Sequence, residues 1–296
     1  MDYQALRVFL TVVEEGSFSR ASERLLRTQP AVSLAVRRLE EEVGETLIDR
    51  SSRELLLTDA GRTVLDYAKR ARTVERDLNN ALTELRDLSA GRLTIGANES
   101  STLYLLQHLS RFRKLYPKVR VQVLRCQSSR IPDMLLGGEL ELGVISYRPV
   151  QKQIVSQIIF TDHLSFICSP RHRLASQKEV SIQELGMETF IAHNVVSPYR
   201  RVVLQKFQEK RVPLNMDIEM PTVEAIHKLI QRDEGVSFLP RMCVEHEIEQ
   251  GTLREVGVKE IQVERKIRLV YPKKRTLSRA SKAFLDLLSQ DEDQTA

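Results

Sequence analysis

The sequence predicts a three-part chain: a small helical unit closed by a hairpin, one long helix, and an α/β region. Three observations carry that prediction. Residues 1–60 hold short amphipathic segments separated by glycine and helix-capping residues. Residues 58–91 run without proline and repeat apolar residues every seven positions. From Arg92 onward, short β-rich runs alternate with helical ones.

A chain of 296 residues is long enough for two or three units that each bury a core. Many aliphatic residues, few aromatics and no tryptophan suit an α/β protein and argue against disorder. No apolar run approaches a membrane span. Met1-Asp2-Tyr3-Gln4 lacks the basic start of a signal peptide, which predicts a cytoplasmic chain. Cys126, Cys168 and Cys243 form no C-x-x-C pair, so they read as small buried apolar residues in a reducing compartment. The net charge of +5 suggests a nucleic-acid partner, but residues 1–60 carry eight Arg and no Lys against eleven acidic residues. Global charge therefore does not identify a DNA-binding end; the placement of arginine must.

Leu6, Phe9, Leu10 and Val13 recur at helical spacing, and Gly16 stops that first helix. Ser17 caps a second helix that ends near Leu25, with Ala21 and Leu25 facing inward. Thr28 caps a third, with Pro30 in its first turn. Val32, Val36, Leu39 and Val43 form its buried stripe. Its opposite face carries Gln29, Pro30, Ser33, Leu34, Arg37 and Arg38, a layout suited to the major groove. Gln pairs with adenine edges, Leu and Pro meet thymine methyls, and Arg reaches guanine or phosphate. After Gly44, residues 47–57 read as a hairpin or wing that would lay Arg50 and Arg53 along phosphate or in the minor groove. A three-helix packing module with a solvated basic face has the same periodicity, so spacing alone leaves both readings open.

From its Thr58 cap, the long helix places Val64, Tyr67, Ala71, Val74, Leu78, Ala81, Leu85 and Leu88 at alternating steps of three and four. A strict heptad stripe is a coiled-coil seam, here on a helix roughly 45 Å long. Arg70, Arg72, Glu75, Arg76, Asp77, Glu84 and Arg86 lie outside it. An amphipathic helix lying on its own domain is the alternative; the strict period favours a dimer helix. Gly91 ends it.

Beyond it, strands are expected at 93–96, 119–123, 142–146, 164–168, 189–193, 215–219, 235–239 and 265–271. Helices are expected at 101–115, 130–137, 199–210, 222–232, 241–249 and 279–289. Such alternation predicts parallel-rich sheets covered by helices. The acidic, polar end from Gln290 reads as a loose tail.

Residues 1–60 resemble the LysR-type winged helix-turn-helix. The resemblance is carried by Gly16-Ser17-Phe18-Ser19-Arg20-Ala21-Ser22, Thr28-Gln29-Pro30-Ala31-Val32-Ser33, Arg38-Leu39-Glu40 and Leu57-Thr58-Asp59-Ala60-Gly61. It extends more loosely over the rest, through Gly138-Glu139-Leu140-Glu141-Leu142-Gly143 and Gly235-Val236-Ser237-Phe238-Leu239-Pro240. It implies an all-α winged helix-turn-helix at 1–58, a linker and dimerisation helix at 59–90, and a two-lobed, periplasmic-binding-protein-like effector domain at 91–296. Lobe I would comprise about 91–160 and 268–296, and lobe II about 161–267. The function implied is a transcription regulator that dimerises through the linker helix, often as a dimer of dimers, and binds inverted-repeat promoter DNA. A small molecule between the lobes would control it, as activator or repressor beside RNA polymerase; no cofactor, metal or membrane is implied. By motif, Gln29, Pro30 and Ser33 look like base readers, with Thr28, Leu34, Arg37 and Arg38 beside them, and Arg50, Ser52 and Arg53 look like wing contacts. Leu34 stands where the family often has a polar or basic reader, and Arg27 where it commonly has an aliphatic residue.

A sheet of this kind binds ligands beyond the carboxyl ends of its strands, at helix N-termini that favour anions. Candidates for an effector are Asn98, Ser100, Ser101 and Thr102, then Ser128, Ser146, Asn194, Ser197 and Phe238. An ordinary N-cap explains any single Ser or Thr among them equally well. Glu99 is awkward there, since it puts a carboxylate in the expected anion loop. Three readings stay open: Arg200 and Arg201 offset it by charge, the effector is neutral or cationic, or Glu99 faces solvent.

An enzyme is the first rival reading. The chain has no G-x-S-x-G, G-x-G-x-x-G or Walker loop, and Gln250 stands where a zincin-like His246-Glu247 would need its second histidine. His163, His172 and His193 lack ligand spacing and read as solvated or capping groups. An exported solute-binding protein would have no use for residues 1–90, and an architectural DNA-binding protein none for two lobes.

Overall fold

The computed structural model describes residues 2–49, 55–86, 91–195 and 197–292. Three helices open the chain: α1 (Tyr3–Glu15), α2 (Phe18–Leu25) and α3 (Gln29–Val43). Gly16 closes α1 at φ +60°, and Ser17 caps α2 by accepting from the Arg20 N–H. Thr28 occupies the N-cap position of α3 without a side-chain hydrogen bond. Val32, Val36 and Leu39 are fully buried beneath α1, as their stripe requires. The α1 face is wider than its spacing predicts, because Val8 and Val12 are buried too. Both join the same core as the α3 stripe.

A short hairpin, β1 (Ile48–Asp49) with β2 (Leu56–Leu57), follows α3. Arg50, Ser52 and Arg53, the expected wing contacts, lie outside the described residues. Two motif residues fasten the hairpin base. Glu40 accepts from the Leu47 and Ile48 N–H groups at 2.9 and 3.2 Å. Thr58 donates to the Thr46 carbonyl and accepts from the Gly61 N–H. Gly61 is required by packing: a Cβ there would lie 2.0 Å from the Leu47 carbonyl oxygen.

The long helix α4 (Asp59–Arg86) has three working faces. Val64, Leu65 and Ala68 join the core of the helical unit, and Tyr3 and Glu14 of α1 bond Glu75 and Arg72. A second face, Lys69, Thr73, Arg76 and Asp77, meets the loop 137–139 and Arg275. The third carries Tyr67, Val74 and Leu78, each more than half exposed. The alternative of a helix lying on its own chain is therefore true of two faces and of Val64, while Tyr67, Val74 and Leu78 of the heptad seam stay exposed. Ala81 and Leu85, by side chain, and Leu88 lie outside the described residues.

The remaining elements are β3 (Gly91–Ala97), α5 (Glu99–Leu115), β4 (Val119–Arg125), α6 (Ile131–Leu136), β5 (Leu142–Ile145) and β6 (Ile154–Cys168). Then come β7 (Glu179–Val180), α7 (Ile182–Leu185), β8 (Thr189–His193), α8 (Pro198–Glu209), β9 (Asn215–Met220) and α9 (Val223–Gln231). Last are β10 (Ser237–Pro240), α10 (Glu245–Glu249), β11 (Arg254–Val258), β12 (Glu264–Pro272) and α11 (Arg279–Glu292). One sheet, ordered β4-β3-β5-β12-β6-β11-β7 with β10 also on β6, runs through both lobes. Strands β3, β4 and β5 are parallel, as are β8 with β9 and β7 with β11. The expectation of parallel-rich sheets needs correction at the centre, where β12 is antiparallel to both β5 and β6. The chain leaves lobe I along β6 and returns along β12, so the two crossing strands must oppose each other. Strand β6 is also longer than expected: its first half pairs with β12 and its second with β10 and β11. One core gathers around Leu93, Ile95, Phe112 and Phe284, the other around Phe166, Phe190 and Phe207.

Gly138 lies at φ +78°, and a Cβ there would sit 2.2 Å from the Thr73 methyl. Gly138→Ala combines that collision with a left-handed backbone penalty of about 1–2 kcal/mol. The variant should expose the α4 face around Thr73 to faster amide exchange and unfold at lower urea. Parent-like exchange at residues 69–77 would show that this contact does not hold α4.

Candidate nucleic-acid interface and inter-lobe cleft

With its stripe buried, α3 must turn the other face outward. Thr28, Gln29, Pro30, Arg37 and Arg38 are exposed, Leu34 is 49% exposed and Ser33 half-buried. Arg37 pairs with its neighbour Glu41 at 3.3 Å, on an exposed surface where such a pair is weak. Other arginines are committed elsewhere. Arg20 bonds the Glu15 carbonyl, and Arg24 lies between Glu14 and Glu15. The unit is acidic overall, with Glu40, Glu41, Glu42 and Glu45 gathered at the C-terminal end of α3, while the outward face from Thr28 to Arg38 is polar and basic.

In the α/β region, loops from the two lobes approach one another. Asn98 caps α5, accepting from the Ser101 N–H at 2.8 Å and from the Ser100 hydroxyl, and its amide donates to Ser128 Oγ at 2.9 Å. Four of the expected residues therefore converge. Thr102 turns back and donates to the Asn98 carbonyl. The Ser146 carbonyl accepts from the Tyr199 hydroxyl, and Tyr147 donates to the Ser128 carbonyl at 3.0 Å. Ser197 caps α8 through the Arg200 N–H, and the Asn194 N–H bonds the Met220 carbonyl. Phe238 is not brought to this cluster. Strand alternation sends Ser237 toward Ile191 and turns Phe238 the other way, stacked on Phe190 with centroids 5.7 Å apart. Phe238 lines a separate groove of about 590 Å³ with Ser165, Phe166 and Glu255.

Sequence reasoning missed how the lobes meet. Glu99 reaches from α5 to lobe II, where Oε1 accepts from the Val223 N–H at 2.9 Å. Its Oε2 lies 3.3 Å from both Arg125 Nη2 and His193 Nε2. Arg125 also reaches the Pro221 carbonyl. His193 does cap locally, accepting from the Val195 N–H, as its reading allowed. Arg200 is turned to Glu219 and the His193 carbonyl, so it does not answer Glu99. These partners lie 26 to 124 residues apart in sequence, and nothing local signals them.

Cys168 and Cys243 are buried as their isolation predicts, whereas Cys126 is only half-buried. Burial pushes the Cys168 and Cys243 thiols up to about 12, away from the thiolate. No group of three or more metal-binding side chains occurs among the described residues. No helix of the described residues is long and apolar enough to cross a membrane.

Fold and site together define a helix-turn-helix reader joined by a linker helix to a two-lobed domain. Residues 3–62 match the model of the bacterial regulatory helix-turn-helix protein, lysR family, and residues 86–292 that of the LysR substrate binding domain. The chain belongs to the LysR family of DNA-binding transcriptional regulators, with an effector-binding domain, and the family is not one of enzymes. It is 30% identical to a "Probable RuBisCO transcriptional regulator" of Cyanidioschyzon merolae over 94% of each chain. It is 29% identical to one of the same name from Synechocystis sp., over 95% of this chain and 83% of that protein. Its fold matches that of CbnR, a LysR family transcriptional regulator, with a TM-score of 0.73 at 17% identity over 98% of this chain and 99% of that one. It also matches the regulatory domain of Synechocystis CcmR in complex with 2-PG, with a TM-score of 0.61 at 23% identity, over 68% of this chain and 96% of that one.

Proposed function

We propose that this chain binds an inverted-repeat promoter as a dimer joined along the α4 seam, with α3 of each protomer in a major groove. The observation that carries this reading is the outward face of α3, polar and basic above a fully buried stripe. Gln29, Pro30 and Ser33 read bases, Thr28, Leu34, Arg37 and Arg38 flank them, and Arg50, Ser52 and Arg53 contact the backbone from the wing. Residues 1–58 are the reader, 59–90 the dimerisation helix and 91–296 the sensor. The separate cores support a division of the sensor into lobe I, about 91–160 and 268–296, and lobe II, about 161–267. A small molecule held by Asn98, Ser100, Ser101, Ser128 and neighbouring residues changes the angle between lobes, and so the spacing of paired dimers on DNA. Only different affinity for the two arrangements achieves this. The complex works in the cytoplasm, as activator or repressor beside RNA polymerase. CbnR has been solved with its target DNA, and CcmR with 2-PG, which supports both partner classes. The promoter of RuBisCO genes is the first DNA to test, because relatives named as probable RuBisCO regulators match along almost the whole chain.

Gln29→Ala tests the reader. Losing a bidentate base contact costs about 1–3 kcal/mol at one base pair and relaxes choice there. Fluorescence anisotropy with matched and single-mismatch duplexes should show that discrimination collapse at one position in each half-site. Unchanged discrimination at every position would remove Gln29 from the reading face.

A further inference from the structure

We propose that Glu99 is an internal clasp that holds the two lobes together without effector, and that the effector is a small anion that displaces it. The proposal rests on the cleft being the effector site. Glu99 stands in the first turn of α5 and also accepts the first N–H of α9, so one carboxylate meets the positive ends of two helices. Arg125 and His193 complete its surroundings at 3.3 Å each. Every group that Glu99 would release is a donor or a cation, and that set selects a carboxylate or phosphate.

A second observation points the same way. Among the described residues, two buried polar atoms on these same two helices lack a partner: Ser101 Oγ, two residues along α5, and His227 Nε2, one turn along α9. Ser101 is fully buried and His227 is 7% exposed. Buried polar atoms of this kind ordinarily find partners. An untethered oxyanion offers this junction more acceptor atoms than the carboxylate tethered to α5. Glu99 thus sets a threshold: an entering anion must outcompete a carboxylate that is already in place.

The test is hydrogen–deuterium exchange of the full-length chain, read in peptides covering residues 221–226, with and without inorganic phosphate at matched ionic strength. In Glu99→Ala, exchange at Val223 should quicken by about tenfold, because its N–H loses its acceptor. Phosphate at roughly 10 mM should restore slow exchange in that variant and leave the parent unchanged. Glu99→Gln keeps the side-chain shape and an acceptor oxygen but loses the charge, so exchange there should quicken less than in Glu99→Ala and phosphate should restore it. Glu224→Gln, at an exposed position paired with Lys228, should match the parent. Parent-like exchange in Glu99→Ala would overturn the clasp. Faster exchange that phosphate cannot reverse in either Glu99 variant would overturn the anionic effector, and phosphate protection equal in parent and variants would overturn the competition. Promoter binding is measured on the same preparations. Its absence from the parent would sink the regulator reading while leaving the exchange result to decide the clasp.

Discussion

Leu78→Glu should leave a folded monomer that binds a two-half-site operator on the order of 100-fold more weakly than the parent. Leu78 is 58% exposed and Val74 68% exposed in the single chain, so neither holds up its own core. Both lie on the heptad seam of α4, where a partner helix would bury them. A glutamate there would be taken out of water without a counter-charge, which a coiled-coil seam does not tolerate. The two faces of α4 that do serve the chain itself, around Ala68 and around Thr73 and Asp77, are untouched. DNA binding falls because two readers no longer arrive linked, although each α3 remains intact. Sedimentation velocity and anisotropy on the same sample check both halves. A variant that stays dimeric would place the dimer contact elsewhere.

Asp162→Ala should destabilise the α/β region by about 3–5 kcal/mol, since it strips a buried guanidinium of its partner. Asp162 pairs with Arg265 where β6 and β12 cross between lobes, with side chains 2% and 3% exposed. The carboxylate also accepts from the Met242 N–H at 3.2 Å, and the guanidinium lies over the Tyr199 ring at 4.9 Å. Among the described residues Arg265 Nε already lacks a partner, so the remaining charge has little left to bind. Replacing both residues by leucine should recover much of the loss, because neither charge is then stranded. Urea midpoints of the single and double variants decide it. A single variant within about 1 kcal/mol of the parent would mean that water reaches the crossing and solvates the arginine.

The reader and the long helix were legible because their signals are local. The step from Val32 through Val36 to Leu39 states which face of α3 is buried, and Gly16, Ser17 and Pro30 punctuate the helices. The seam on α4 was legible for the same reason, but its docking on Gly138 and Arg275 was not, because those partners lie 62 to 198 residues away. In the cleft, capping residues marked Asn98, Ser128 and Ser197 by the turn each begins. Phe238 was misplaced because its motif gives a strand without saying which side of β10 faces the cleft. Glu99 was noticed as an oddity of one loop, and its meaning depended on where Val223 and His193 fold to.

Selection of bound DNA from a random library with the purified chain, read by sequencing at two salt concentrations, tests the central claim most directly. The account predicts an enriched inverted repeat at both salts, its two half-sites spaced for a pair of α3 helices. Salt-sensitive binding with no enriched sequence would contradict it.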